Sequence, residues 1–501
     1  MTQSLAARAT NLESILDSSR VLSDPAALAH YAIHDIAPAV AAKPATPEEA
    51  AAVVCYAAAE KLAVIPSGCH SKLQMGATPS RYDIALDMSG IREIAHYDPA
   101  DLTISVGAGM PLAALNATLF QHNQFLPLLV PCYSSATVGG AIASGLDSPL
   151  RQFYGTARDF LLGAEFIDGT GALVKSGGRV VKNVTGYDLH KMLVGSMGNL
   201  AAITRLNFRT FPAPVAGSRG FVASFSTHEA ALALRNKIAA SPLAPLTLDL
   251  LNPAAAQIFA TRTPSTPEVP VFAGENHNTP RQPLPLPGDW FQRDAWQVCA
   301  AFAGVPAVLD RCSRDLTHFA EEASATSATF LDDSTRPSIW GRLREALPLF
   351  LESSPHATIF RLSLVPGYHQ KAITLLEAVA NAADIPLALI ARASGPLYVA
   401  LLPASTNGLV LDNLLLFAHE VGTLSRSRAG DASMLFAPPN LRSRFTHAIA
   451  ATSGVNHSAE PEANGSRTAA IFNTANSPSF IARRIKSAFD PQAIFSPGRL
   501  L

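Results

Sequence analysis

Two adjacent glycines, Gly139-Gly140, lie inside a run of small residues from Ala136 to Gly145, just after Pro131-Cys132-Tyr133-Ser134-Ser135. Without Cβ atoms, this backbone can be approached closely either by a packed helix or by a ligand. The small residues that follow can begin a helix, and helix N-termini favour phosphate. Two other glycine-bearing segments flank this one. Pro66-Ser67-Gly68-Cys69-His70-Ser71-Lys72, with Gly76 beyond it, follows the apolar run Ala63-Val64-Ile65. Consecutive amides in such a turn can form a nest for an anion, although a plain surface turn fits the same residues. Lys182-Asn183-Val184-Thr185-Gly186-Tyr187-Asp188-Leu189 precedes Gly195-Ser196-Met197-Gly198-Asn199-Leu200 and a strand through Ile203. None of the three is a Walker loop or a GxGxxG after the first strand of a Rossmann unit, so the usual nucleotide motifs are absent.

The elements around these segments read as α+β. Thr46-Pro47-Glu48-Glu49 is a capping box with Pro at the first helical position, and Ala50, Val53, Val54, Ala57, Ala58 and Leu62 continue it as one apolar face. Alternation predicts strands at 84–88 and 103–106. Asp168-Gly169-Thr170-Gly171 between two apolar runs predicts a hairpin. The first unit closes near Phe211-Pro212-Ala213-Pro214, and strand–helix–strand patterns fill about 216 to 430. Residues 262–290 and 454–468 read as long exposed loops. An amphipathic helix over Ile481–Phe489 leads into the ending Phe489-Asp490-Pro491-Gln492-Ala493-Ile494-Phe495-Ser496-Pro497-Gly498-Arg499.

Composition removes several classes. The 501 residues are 48% hydrophobic and 15% charged with a net charge of −1, which gives no electrostatic reason to expect nucleic acid. Cys55, Cys69, Cys132, Cys299 and Cys312 form no CxxC pair, which argues against a disulfide framework or a zinc or iron–sulfur centre held by this chain alone. The start lacks a secretory pattern, and no apolar stretch approaches the roughly 20 residues that span a bilayer. The expectation is a soluble cytoplasmic protein, associated with a membrane only through partner subunits.

In order and spacing the glycine segments resemble the FAD-binding domain of the vanillyl-alcohol-oxidase and p-cresol-methylhydroxylase superfamily. The likeness runs from about Tyr31 to Pro214 and returns at the tail. The Lys182–Leu189 segment and the ending are most similar to FAD-binding subunits of bacterial glycolate oxidases. That resemblance implies a two-lobed FAD-binding domain over 31–215, after an N-terminal extension 1–30. It also implies an α+β cap over 216–430 and a segment 431–501 returning to the FAD domain. Ser67, Gly68, Cys69, His70 and Ser71 would form one pyrophosphate cradle, and Thr137, Gly139, Gly140 and Ser144 the other. Gly198 and Ile203 would run along the cofactor through their main chain.

The sequence departs from the glycolate oxidase pattern at Cys69 and His70, where a glycine run is usual, and at Met197, Asn199 and Ala201, where Glu, Thr and Gly are usual. Ser67-Gly68-Cys69-His70-Ser71 also resembles the SGGHS of berberine-bridge-type flavoproteins, which makes His70 a candidate for covalent flavin attachment. The resemblance implies oxidation of a 2-hydroxy acid, with a second flavin subunit and an iron–sulfur subunit as partners. Such chemistry needs a cation for the substrate carboxylate. Arg361 and Arg392, each on or just after an apolar strand, are the candidates. No base stands out, and His356, His369 and His419 are too scattered for a metal site. Two alternatives remain open: a self-contained covalent-flavin oxidase of an alcohol or sugar, and a non-catalytic assembly subunit.

Overall fold

The computed structural model describes residues 5–179, 186–214, 217–264, 286–288, 290–332, 337–427, 430–439, 441–442 and 478–499. Lys182–Thr185, most of 262–290 and all of 454–468 therefore lie outside the described residues. The chain divides into two compact units, one of Met1–Leu146, Thr156–Ala213 and Ala475–Leu501, the other of Asp147–Gly155 and Pro214–Thr474.

In the first unit the helix Pro47–Glu60 starts where the sequence says it should. The Thr46 hydroxyl accepts the Glu49 amide at 3.2 Å, while the Glu49 carboxylate accepts the Ala45 amide at 2.7 Å and pairs with Arg20. Its face of Ala50, Val53, Val54, Ala57 and Ala58 is fully buried. A four-stranded sheet runs in the order Val21–Leu22, Val40–Ala42, Ile84–Asp87, Val64–Ser67, with the last three parallel. The second sheet is antiparallel, in the order Ile94–Asp98, Thr103–Gly107, Ala202–Arg209, Leu161–Ile167, Leu173–Gly177. Its last two strands are the expected hairpin, whose turn is tied by Asp168 Oδ1 accepting the amides of Thr170 and Ala172.

The first and the last described segments both belong to this unit. Within the N-terminal extension, Val21–Leu22 is a sheet strand, Leu12 and Leu16 join the core, and Arg8 pairs with Asp83 at 2.8 Å. At the other end, the helix Pro478–Phe489 delivers a tail that docks on the strand Val64–Ser67. The Val64 amide donates to Ile494 at 2.8 Å and the Ser496 amide to Val64 at 2.9 Å. Lys486 Nζ, 12% exposed, bonds Asp490, the Asn199 carbonyl and the Phe495 carbonyl. The buried Asp490 carboxylate in turn accepts the Ile494 and Phe495 amides.

The second unit is an eight-stranded antiparallel sheet in the order Ser327–Leu331, Ser218–Phe225, Trp296–Ala303, Thr247–Leu251, Leu387–Arg392, Pro396–Leu401, Thr358–Ser363, Asp431–Phe436. Because side chains alternate along a strand, one face supplies Leu248, Leu250, Val298, Leu389, Val399 and Phe360 to an apolar core. The helices His228–Ala240, Pro306–Glu322, His369–Ala382 and Gly408–Ser427 cover it. The expected boundary at 430 moves, since Asp431–Phe436 is the edge strand of this sheet rather than part of the returning tail. Residues 147–155 also belong here, which the sequence reading placed in the first unit. No helix among the described residues is long and apolar enough to cross a membrane.

Candidate functional site

The three glycine segments meet in the first unit. Gly68 lies so close to Thr137 that an added Cβ would fall 2.8 Å from Thr137 Cγ2. Thr137 caps the short helix Val138–Ser144, its hydroxyl accepting the Gly140 amide at 3.2 Å. The Gly139 amide donates to the Ala108 carbonyl at 2.8 Å, and a Cβ on Gly139 would stand 2.7 Å from that of Ala108. Gly139 is thus fixed by close backbone packing. Gly140 differs: an added Cβ would meet only Thr137 Oγ1, at 3.0 Å, and its other side is open.

The third segment closes on the same helix. The Gly195 amide donates to Ile142 at 2.9 Å and the Met197 amide to Ala143 at 2.8 Å. Gly195, Met197 and Gly198 all have positive φ, at +81°, +53° and +67°. Glycine adopts this conformation freely, whereas Met197 does so at a cost. Ser496 of the tail donates to the Gly198 carbonyl at 3.1 Å, and Asn199 donates to the Ser496 carbonyl at 3.2 Å.

Between these segments lies a partly open cavity of about 100 Å³. All eleven cofactor candidates line it: Ser67, Gly68, Cys69, His70, Ser71, Thr137, Gly139, Gly140, Ser144, Gly198 and Ile203. Sequence reasoning missed Lys72, Ala108, Met197 and Arg499, which line it too. Ala108 had a local signal, the small run Gly107-Ala108-Gly109 after a strand, whereas Arg499 had none beyond its place in the ending. Among the described residues that line it none is Asp or Glu, and the charged side chains among them are cationic.

The departures from a plain glycine turn are accommodated. Cys69 is exposed at the surface, and the partial desolvation of its thiol raises its pKa. His70 takes φ +60°, and its ring packs edge-on against Tyr31 with centroids 4.4 Å apart. Tyr31 is anchored by its hydroxyl donating to Asp87 Oδ2 at 2.9 Å. Burial holds the His70 imidazole below its ordinary pKa, the Asp87 carboxylate opposing that shift. Ser67 Oγ and His70 Nε2 are buried without a hydrogen-bond partner among the described residues. Orphaned donors, glycines pressed against their neighbours and a wall free of carboxylates fit an anionic dinucleotide.

Arg361 and Arg392 are not in this cavity. They lie in the second unit, on the sheet face opposite the large core, flanking Tyr398 on the strand between them. Arg392 Cζ stands 5.4 Å from the Tyr398 ring centroid, and Nε and Nη1 of Arg392 are buried without a partner among the described residues. Asp249 is the cross-strand neighbour of Arg392. Burial lifts the Asp249 carboxyl to about 6, with Arg392 and Arg235 pulling the other way. Burial also pushes the Tyr398 phenol up to about 12, so it keeps its proton at neutral pH, and it donates to Asp147 Oδ2 at 3.3 Å.

The comparisons with known proteins agree with this geometry. Residues 38–177 match the family described as FAD binding domain, and the cofactor is FAD. Over 162 residues the chain is 38% identical to the glycolate oxidase subunit GlcE of Escherichia coli (strain K12), covering 32% of this chain and 46% of that one. It is 30% identical over 213 residues to a D-2-hydroxyglutarate dehydrogenase of Xanthomonas citri pv. viticola, covering 41% and 45%. The chain thus spans about half the length of these curated relatives. The crystal structure of p-cresol methylhydroxylase with substrate bound superposes with a TM-score of 0.69 at 17% identity, covering 99% of this chain and 96% of that one. The fold is therefore the α+β fold of p-cresol-methylhydroxylase-type flavoproteins.

Proposed function

We propose that this chain is the FAD-binding subunit of a glycolate oxidase/dehydrogenase-like complex, an FAD-dependent oxidoreductase that oxidises a 2-hydroxy acid and passes the electrons to a partner. The observation that carries the reading is the convergence of all eleven candidate residues on one cavity whose described lining residues include no carboxylate. It lies in an FAD-binding domain that is similar to a glycolate oxidase subunit. In this reading Ser67–Ser71 together with Thr137, Gly139, Gly140 and Ser144 hold the pyrophosphate, and Gly198 and Ile203 line the rest of the cofactor. Bound FAD supplies a two-electron acceptor for alcohol oxidation. The second unit is the cap, and Arg392 or Arg361 binds the substrate carboxylate as a charge-assisted pair. Tyr398 packs its ring beside Arg392 and keeps its hydroxyl proton for Asp147. The partners are a second flavin subunit and an iron–sulfur subunit, and the chain works in the cytoplasm, reaching a membrane only through them.

An anaerobic visible spectrum before and after glycolate tests this. Flavin absorbance that bleaches in the isolated chain, or only once the partner subunits are added, supports the reading. A flavin that glycolate and other 2-hydroxy acids never bleach, even in the assembled complex, rejects the substrate class. A colourless chain that takes up no FAD on reconstitution rejects the reading and leaves the assembly role. A second reading, a self-contained oxidase of an alcohol or sugar with flavin joined to His70, rests on the buried, unpartnered Nε2 of that residue beside the cavity.

A further inference from the structure

Arg499 arrives on the docked tail, far in sequence from the glycine segments, and is 4% exposed. One nitrogen of its guanidinium, Nη2, donates to the Leu73 carbonyl at 3.0 Å and to the Met75 carbonyl. That fixes the plane of the fork. Nε and Nη1 remain, buried and without a hydrogen-bond partner among the described residues. No carboxylate of a described residue pairs with it, and none lines the cavity wall to which it belongs. A buried cation with two idle donors is costly unless an anion completes it.

Leu73 and Met75 directly follow the first glycine turn, and Lys72 of that turn is the other cation of the wall. Two cations beside a glycine nest match a ligand group carrying two negative charges. We propose that Arg499 is a binding residue of the flavin site whose free Nε–H and Nη1–H donate to the pyrophosphate of FAD. The tail would then complete the cradle as well as brace it. This rests on the reading of the cavity as the FAD site, and it adds a residue that neither the glycine segments nor the matched 38–177 region contains.

The test uses the full chain stripped of flavin, with Arg499→Met and Arg499→Lys beside the wild type. Three probes are titrated: FAD, ADP-ribose, which keeps a pyrophosphate without the isoalloxazine, and riboflavin, which keeps the ring without phosphate. For Arg499→Met we expect FAD and ADP-ribose each to bind about 30-fold more weakly or worse, with riboflavin unchanged. Arg499→Lys keeps the charge but not the fork, so its loss is intermediate, and it gives an answer if the methionine variant fails to fold. Equal binding of FAD by folded wild type and Arg499→Lys or Arg499→Met overturns the inference. So does a loss shared by riboflavin, or one that spares ADP-ribose, because the contact would then be to the ring or the damage general. A wild-type chain that takes up none of the three probes overturns the flavin reading itself, and this inference with it.

Discussion

Gly140→Val separates the ligand's demands on the glycine pair from the fold's. In the helix Val138–Ser144 an added Cβ at Gly140 meets only Thr137 Oγ1, at 3.0 Å. Replacing glycine by valine gains a few tenths of a kcal/mol of helix propensity. Disturbing the Thr137 cap costs about 1 kcal/mol, so the apo protein should change by no more than about 1 kcal/mol. The two methyl groups instead enter the cavity. Overfilling a packed contact costs roughly 1–3 kcal/mol, which is about a 5- to 150-fold loss of FAD affinity. Urea denaturation of the apo protein and fluorescence titration with FAD measure the two effects separately. Gly139→Val is the control, because its Cβ would strike Ala108, at 2.7 Å from Cβ and 2.9 Å from the carbonyl oxygen, and should destabilise the apo fold itself. A folded Gly140→Val that binds FAD as tightly as wild type refutes the placement of the pyrophosphate.

Other consequences are open to direct measurement. Asp490→Ala strands Lys486 and two buried amides, so we expect about 3 kcal/mol of lost stability, seen in denaturant melts, together with weaker FAD retention; an unchanged midpoint would show that the tail is not anchored there. Acid precipitation should release all the flavin in the leading reading, and flavin that stays with the polypeptide would shift the assignment to the His70-linked oxidase. His369 accepts from Arg235 Nη1 at 2.8 Å and donates from Nε2 to the Gly395 carbonyl at 3.0 Å, and burial, then Arg235, depress its pKa to about 4. The unfolded chain therefore takes up this proton first, and stability falls as pH drops from about 6.5 to about 4, by about 3 kcal/mol. His369→Gln should flatten that part of the stability–pH curve, and a curve of the same slope would assign the dependence to other groups.

What could be read from the sequence was whatever is local. The Thr46 cap, the Asp168–Gly171 turn and the periodic face of Pro47–Glu60 depend on residues within one turn of each other, and the structure has them where the pattern places them. The glycine segments were legible because a missing Cβ is visible in one residue at a time. What they are pressed against was not: Gly68 against Thr137, Gly139 against Ala108 and Arg499 against Leu73 are long-range pairings that no window contains. The boundary at 430 failed for the same reason, since Asp431–Phe436 is a strand by virtue of its partner Thr358–Ser363. Residues 147–155 carry no local mark of the unit they join. Arg361 and Arg392 stand out in the sequence as lone charges on apolar strands, yet their alignment about Tyr398 follows from sheet order, which the sequence does not display.

The wall that Arg499 supplies is separated from Leu73 by 426 residues. On a ribosome adding ~5–20 residues per second, ~20–90 s pass between the emergence of the two. Through that interval the glycine turns exist without their last cation and without the strand addition at Val64. The strand addition at Val64 and the Lys486–Asp490 anchor therefore close the first unit late, after everything between Leu73 and the tail has been synthesised.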